Sequence, residues 1–127
     1  MTEEWLTHDA RVDEEHARLR ETLRALRAVV LHCREPALLA EATDVVRARL
    51  KVHFHDEEVA AETDPEAAEI LREDHRALLR MVDRLRMLTA ASHAERKVAM
   101  AELFAALEKH EREVDVPVFR LLKPTAA

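Results

Sequence analysis

At 127 residues, the chain is long enough for a single domain with a buried core, read as 1–127. It has no glycine and 4 prolines, and its abundant Ala, Leu, Glu and Arg favour helix and leave little for hairpin turns; an all-α fold follows. The net charge of −6 is interleaved rather than blocked, and without a basic patch for a phosphate backbone nucleic acid is not an expected partner.

The opening run, Met1-Thr2-Glu3-Glu4-Trp5, lacks the basic and apolar regions of a signal peptide, and no apolar run approaches the ~20 residues of a membrane span. A cytoplasmic protein without a membrane partner is the expectation. The first helix is predicted from an N-cap at Thr7 to about Arg34, with the stripe Val12, His16, Leu19, Leu23, Leu26, Val30, Cys33. The lone Cys33 reads as a small buried hydrophobe. Glu35-Pro36 ends that helix and opens the next, which carries Leu39, Thr43, Val46, Leu50, His53, Glu57 and Ala60. Asp64-Pro65 is a cap and first-turn signal for a third helix with Leu71, His75, Leu78, Val82 and Leu85 inward. Ser92-His93-Ala94-Glu95 has the form of a capping box for a fourth helix. That helix carries Met100, Leu103, Leu107, His110 and Val114 and is predicted to stop around Pro117, leaving a partly irregular tail over 118–127. Short connections make the expected fold an up-down-up-down antiparallel four-helix bundle.

Four histidines fall within these apolar stripes, one per helix: His16, His53, His75 and His110. Two of them open near-duplicate phrases, Asp13-Glu14-Glu15-His16 and Arg72-Glu73-Asp74-His75; the others close Leu50-Lys51-Val52-His53 and Leu107-Glu108-Lys109-His110. An unpaired buried imidazole is costly, so four of them ask for a shared ligand. In an antiparallel bundle His16 and His75, early in their helices, and His53 and His110, late in theirs, all lie roughly 9–15 Å from one end. The remaining histidines, His8, His32, His55 and His93, read as solvated or terminal.

Glu57 follows His53 by one turn on the same face, and a buried carboxylate among imidazoles suits iron, manganese or zinc. Its neighbour Glu58 reads as an outward surface charge. On the fourth helix the residue one turn after His110 is Val114, which cannot ligate, while Asp115 is rotated by about 100° off the stripe in a regular helix. Pro117 removes a backbone donor opposite Glu113, and a local widening to i,i+5 geometry would return Asp115 to the axis.

The set His16, His53-Phe54-His55-Asp56-Glu57-Glu58, His75 and His110 followed by Asp115 resembles the hemerythrin-like family, the HHE cation-binding domain, over nearly the whole chain. The resemblance implies a non-haem di-iron centre, with Glu57 and Asp115 bridging, His16, His53, His75 and His110 as terminal ligands, and Mn or Zn as possible substitutes. Members with oxygen-carrying function have two histidines four apart on the third helix; here Leu71 and Leu79 flank His75 at that spacing. One ligand fewer leaves an open position, and open positions mark reactive metal sites. The implied partners are O2, peroxide or NO, and the chain is expected as a monomer or weak homodimer. The competing readings are an iron-binding or sensing module without turnover, a bundle holding one metal, and a structural bundle, with haem its weaker variant.

Overall fold

A computed structural model describes residue 7, residues 9–88 and residues 92–122. Among these residues it is all-helical, with four long helices and no strand. The long helices are α1 (Ala10–His32), α2 (Pro36–Ala60), α3 (Pro65–Met87) and α4 (His93–His110). A π-helical turn (Glu111–Asp115) and a short α5 (Val116–Leu122) continue from α4. Each long helix packs against its neighbour in the chain, and α1 also packs against α4, so the helices form a bundle. No helix among the described residues is long and apolar enough to cross a membrane.

The ends are set by local chemistry. Asp9, not Thr7, caps α1: its backbone is extended and its carboxylate accepts from the amides of Arg11 and Val12. Thr7 is buried instead and gives both its amide and its hydroxyl to Asp13 Oδ1, each at 2.8 Å. The helix ends at His32 rather than Arg34, because Cys33 and Glu35 turn to extended backbone ahead of Pro36. Asp64 caps α3 as expected, accepting from Ala67 N–H at 3.2 Å. Ser92 caps α4 by accepting from Glu95 N–H, but the Glu95 carboxylate takes the Ser92 hydroxyl rather than the reciprocal backbone donor of a full capping box.

The apolar stripes meet in a main core that includes Leu26, Val30, Leu50, Val82 and Leu103, closed at one end by Phe54. Each such aliphatic side chain contributes roughly 1.5–3 kcal/mol by leaving water. Cys33 is half-buried and packs at the edge of this core. A second, smaller cluster of Ala61, Ala68, Leu71 and Val118 lies beyond the histidines. The chain therefore does not stop being helical at Pro117. Val116, Val118 and Phe119 of α5 are buried, so residues 118–122 of the expected irregular tail are helical, and 123–127 lie outside the described residues. Pro117 leaves the Glu113 carbonyl without its usual backbone donor, and the π turn immediately before it accommodates that loss within a continuous helical run.

Candidate metal centre

Between the two apolar clusters, six side chains converge: His16 from α1, His53 and Glu57 from α2, His75 from α3, His110 from α4 and Asp115 from the π turn. Their exposures run from 1% for Asp115 to 8% for His53. His32, His55 and His93 are exposed and belong to neither group of converging side chains, and His8 lies outside the described residues.

The π turn explains how Asp115 arrives. Val116 N–H bonds to Glu111 carbonyl, an i,i+5 closure that inserts one extra residue after His110. This brings Asp115 Oδ1 to 2.8 Å from His110 Nε2. In a regular helix that place would fall to Val114, which is half-buried against the small cluster under α5.

Glu57 lies at the centre. Its Oε2 is 3.2 Å from His16 Nε2, and its Oε1 is 3.3 Å from His53 Nε2 and 3.2 Å from His75 Nε2. Asp115 Oδ2 is 3.2 Å from His16 Nε2. Two overlapping donor sets result, His16–His53–Glu57–Asp115 and Glu57–His75–His110–Asp115, and within each the ligand atoms lie within 4.8 Å of one another. Both sets use both carboxylates.

Several of these atoms are close without bonding. Glu57 Oε1, His75 Nε2, His110 Nε2 and Asp115 Oδ1 are buried and make no hydrogen bond, despite separations of about 3 Å. Atoms that approach so closely yet point past one another are arranged as ligands around a common centre are. Buried polar atoms left this way are costly, and a cation would satisfy them together. Nitrogen with hard carboxylate oxygen is a donor set that fits a divalent transition metal.

The electrostatics agree. Burial alone would push the His16 imidazolium towards losing its proton, but bonding to Asp115 and Glu57 outweighs burial and raises its pKa to about 10. His110 is raised to about 9, burial again being outweighed, here by Asp115, Glu57 and Asp74. Burial works to raise Glu57, yet the hydrogen bond from His16 and the close imidazoles of His75 and His53 hold it well below the usual carboxylate range. Without metal, protons supply the positive charge that the two carboxylates demand.

Each histidine also has an acidic neighbour at its outer nitrogen, always from another helix. Glu15 of α1 is 3.7 Å from His53 Nδ1, and Glu58 of α2 is 2.9 Å from His75 Nδ1. Asp74 of α3 makes a short contact with His110 Nδ1, and Glu111 of the π turn is 3.4 Å from His16 Nδ1 while also pairing with Arg20. The pattern is cyclic: each helix supplies a carboxylate to the histidine of the next, and the last segment returns to α1. At His75 and His110 the contact is a hydrogen bond, and because a carboxylate can only accept, it holds a proton on Nδ1 and leaves Nε2 to face the cluster. The duplicated phrases in the sequence now have a cause, since Glu15 and Asp74 directly precede His16 and His75 and serve the adjacent helix. Glu58 is thus not a surface charge but His75's partner. From the sequence alone Glu15, Asp74 and Glu111 are assigned no role at the histidines and Glu58 reads as a surface charge; their only signal is adjacency to a stripe residue.

Phe54 was also not singled out beyond its motif. Its ring stacks on His75 at 4.0 Å between centroids, nearly parallel, and stands edge-on to His110 at 5.8 Å. It separates the polar cluster from the aliphatic core. Leu71 and Leu79, where a fifth histidine would stand, are apolar packing: Leu71 is fully buried in the small cluster and Leu79 lies against the main core.

Neither a family model, a curated protein nor a solved structure matches the chain.

Proposed function

We propose that the chain is a hemerythrin-like protein whose up-down-up-down antiparallel bundle holds two iron ions and binds or reacts with O2, peroxide or NO. The observation that carries this reading is the sharing of Glu57 and Asp115 by two donor sets of two histidines each. Two carboxylates common to two sets suit a pair of cations held close together, whereas a single ion would leave half of the imidazoles unused. The antiparallel arrangement is supported by the meeting of residues early in α1 and α3 with residues late in α2 and α4.

Bound iron would supply electrons to, and an open coordination position for, a small oxygen- or nitrogen-containing ligand. The protein's own contribution is positional. Glu57 and Asp115 provide the charge that holds the cations, the four imidazoles fix their places, and the outer carboxylates fix the imidazoles. Phe54 and the small cluster under α5 keep the surroundings dry, which strengthens every charge interaction within. With only two histidines per set, the site is more open than that of an oxygen carrier, which favours reaction or ligand exchange over reversible carriage. Mn or Zn would fit the same donors.

The test is anaerobic reconstitution of chelated protein with ferrous iron, followed by metal analysis and spectroscopy. The expected result is about two irons per chain, near-ultraviolet oxo-bridge absorption after exposure to air, and loss of both in His53→Ala and Glu57→Ala. One iron per chain would replace this reading with a mono-metal bundle. Full helicity with indifference to iron would leave a structural bundle. Peroxide consumption separates the remaining cases, since many turnovers mean an enzyme and stoichiometric oxidation means a sensing or iron-binding module.

A further inference from the structure

The cavities that reach the cluster differ in charge. A small one of about 60 Å³ lies along α1 and α4 and touches His16, His53, His110 and Asp115; its arginines, Arg20 and Arg24, stand against Glu108, Glu111 and Asp115. A broader groove of about 510 Å³ along α1 and α2 reaches His53, and there Glu15 and Asp56 are balanced by Arg18 and Arg49. A third, of about 310 Å³, is bounded by α1, α2 and α5. Among the described residues its wall carries Asp9, Glu15, Asp56 and Glu57 against one cation, Arg11, which lies 3.9 Å from Glu15, and His53 lies in it.

This acidic cavity touches the cluster at an unsatisfied atom. Glu57 lines the cavity, is 3% exposed, and carries a buried Oε1 that makes no hydrogen bond. From the surface inwards, acidic groups follow in sequence. Asp56 is exposed, Glu15 is partly buried with its carboxylate 3.7 Å from His53 Nδ1, and Glu57 is buried one helical turn from His53. The other histidine pair is held more tightly: Glu58 and Asp74 hydrogen-bond to His75 and His110, and neither His75 nor His110 lines this cavity.

We propose that this cavity is the entry port for the divalent cation, with Asp56 and Glu15 guiding it to His53 and Glu57. The inference rests on the metal-binding reading above and adds a route and a direction to it. Clefts lined by one sign of charge concentrate counter-ions and accelerate association, and a stepwise series of carboxylates lets a cation lose its water gradually. Loading therefore begins at the His16–His53 set and not at the His75–His110 set.

The experiment measures the rate at which chelated, full-length protein takes up Co²⁺, a redox-quiet probe with a visible spectrum, at low ionic strength. Asp56→Asn is expected to slow uptake several-fold and Asp56→Arg by about 10-fold or more, with the differences shrinking in high salt. Glu41→Arg makes the same change in net charge on the same helix, about 22 Å away along its axis, and is expected to load at close to the wild-type rate. The Co²⁺ bound per chain at the end should be equal in all four proteins. Equal slowing by Asp56→Arg and Glu41→Arg, or no slowing by Asp56→Asn, overturns the port while leaving the metal site standing. Failure of the wild type to take up any Co²⁺ overturns both.

Discussion

Each outer carboxylate acts on a histidine of the next helix rather than on the cluster's centre, which makes its contribution separable. Glu58 and Asp74 are the pair in hydrogen-bond contact, with His75 and His110. Glu58→Gln and Asp74→Asn keep the shape but remove the charge that pins the Nδ1 proton. Each is expected to weaken divalent-metal affinity about 10–100-fold in a chelator competition, with far-ultraviolet helicity unchanged. Glu14→Gln provides the control, because Glu14 is exposed and pairs with Arg18 one turn along the same helix. Unchanged affinity in both outer variants would mean that packing alone orients the rings. Phe54 gives a contrasting case, as its ring serves packing first. Phe54→Ala should cost the chelated protein about 3–5 kcal/mol in denaturant unfolding.

At the scale of elements, the π turn decides whether helix four has a carboxylate at all. It holds one residue more than an α-helix would, and Glu113, within it, is exposed. Deleting Glu113 should let the turn close to i,i+4 bonding, with the aspartate now four residues after His110 and still on the inward face. Metal binding is then expected to survive within about 10-fold, whereas Asp115→Asn should abolish it; loss of binding on deletion would show that the turn's own geometry is needed. This element was legible in the sequence, because Val114 could not ligate and Pro117 withholds a donor from the Glu113 carbonyl. The stripes, the Asp64 cap and the convergence of six residues were legible for a similar reason, each being a rule of period or of a single residue type. The outer carboxylates were not. Glu15 and Glu58 sit at the margin of their helices' inward faces, and whether a marginal side chain reaches a partner depends on the spacing between helices, which period does not carry. The α5 segment was missed because seven residues span barely two turns, too few to display a stripe, and Pro117 at its start reads equally as a stop. At the other end Thr7 and Asp9 are both good caps, and only the long-range bond from Thr7 to Asp13 separates them.

The whole molecule carries a polar layer inside an otherwise apolar bundle, and its stability must follow the charge state of that layer. In metal-free protein His16 and His110 have folded-state pKa values of about 10 and about 9, above the ordinary 6.5. A group whose pKa is raised by folding contributes stability that is fully present below its unfolded value and is lost as pH rises through its folded value. The window for this loss is therefore from 6.5 to about 10. Glu57 is depressed, so its contribution is present above 4.5 and is lost as pH falls through its folded value. The chelated protein should thus be most stable, as far as this layer is concerned, in mildly acidic solution, and its Tm should fall between about pH 6.5 and about pH 10. Bound metal changes the sign of the argument. Under the proposed function it would occupy the nitrogens in place of protons, so raising the pH would remove its competitor and strengthen binding. The stabilisation conferred by metal should consequently widen with pH over the same interval, because the chelated protein weakens while the loaded one does not. Thermal unfolding of chelated and Zn²⁺-loaded samples across that interval reads both quantities. A chelated Tm that stays level or climbs towards alkaline pH would show that the protons on His16 and His110 do not hold the two buried carboxylates in place.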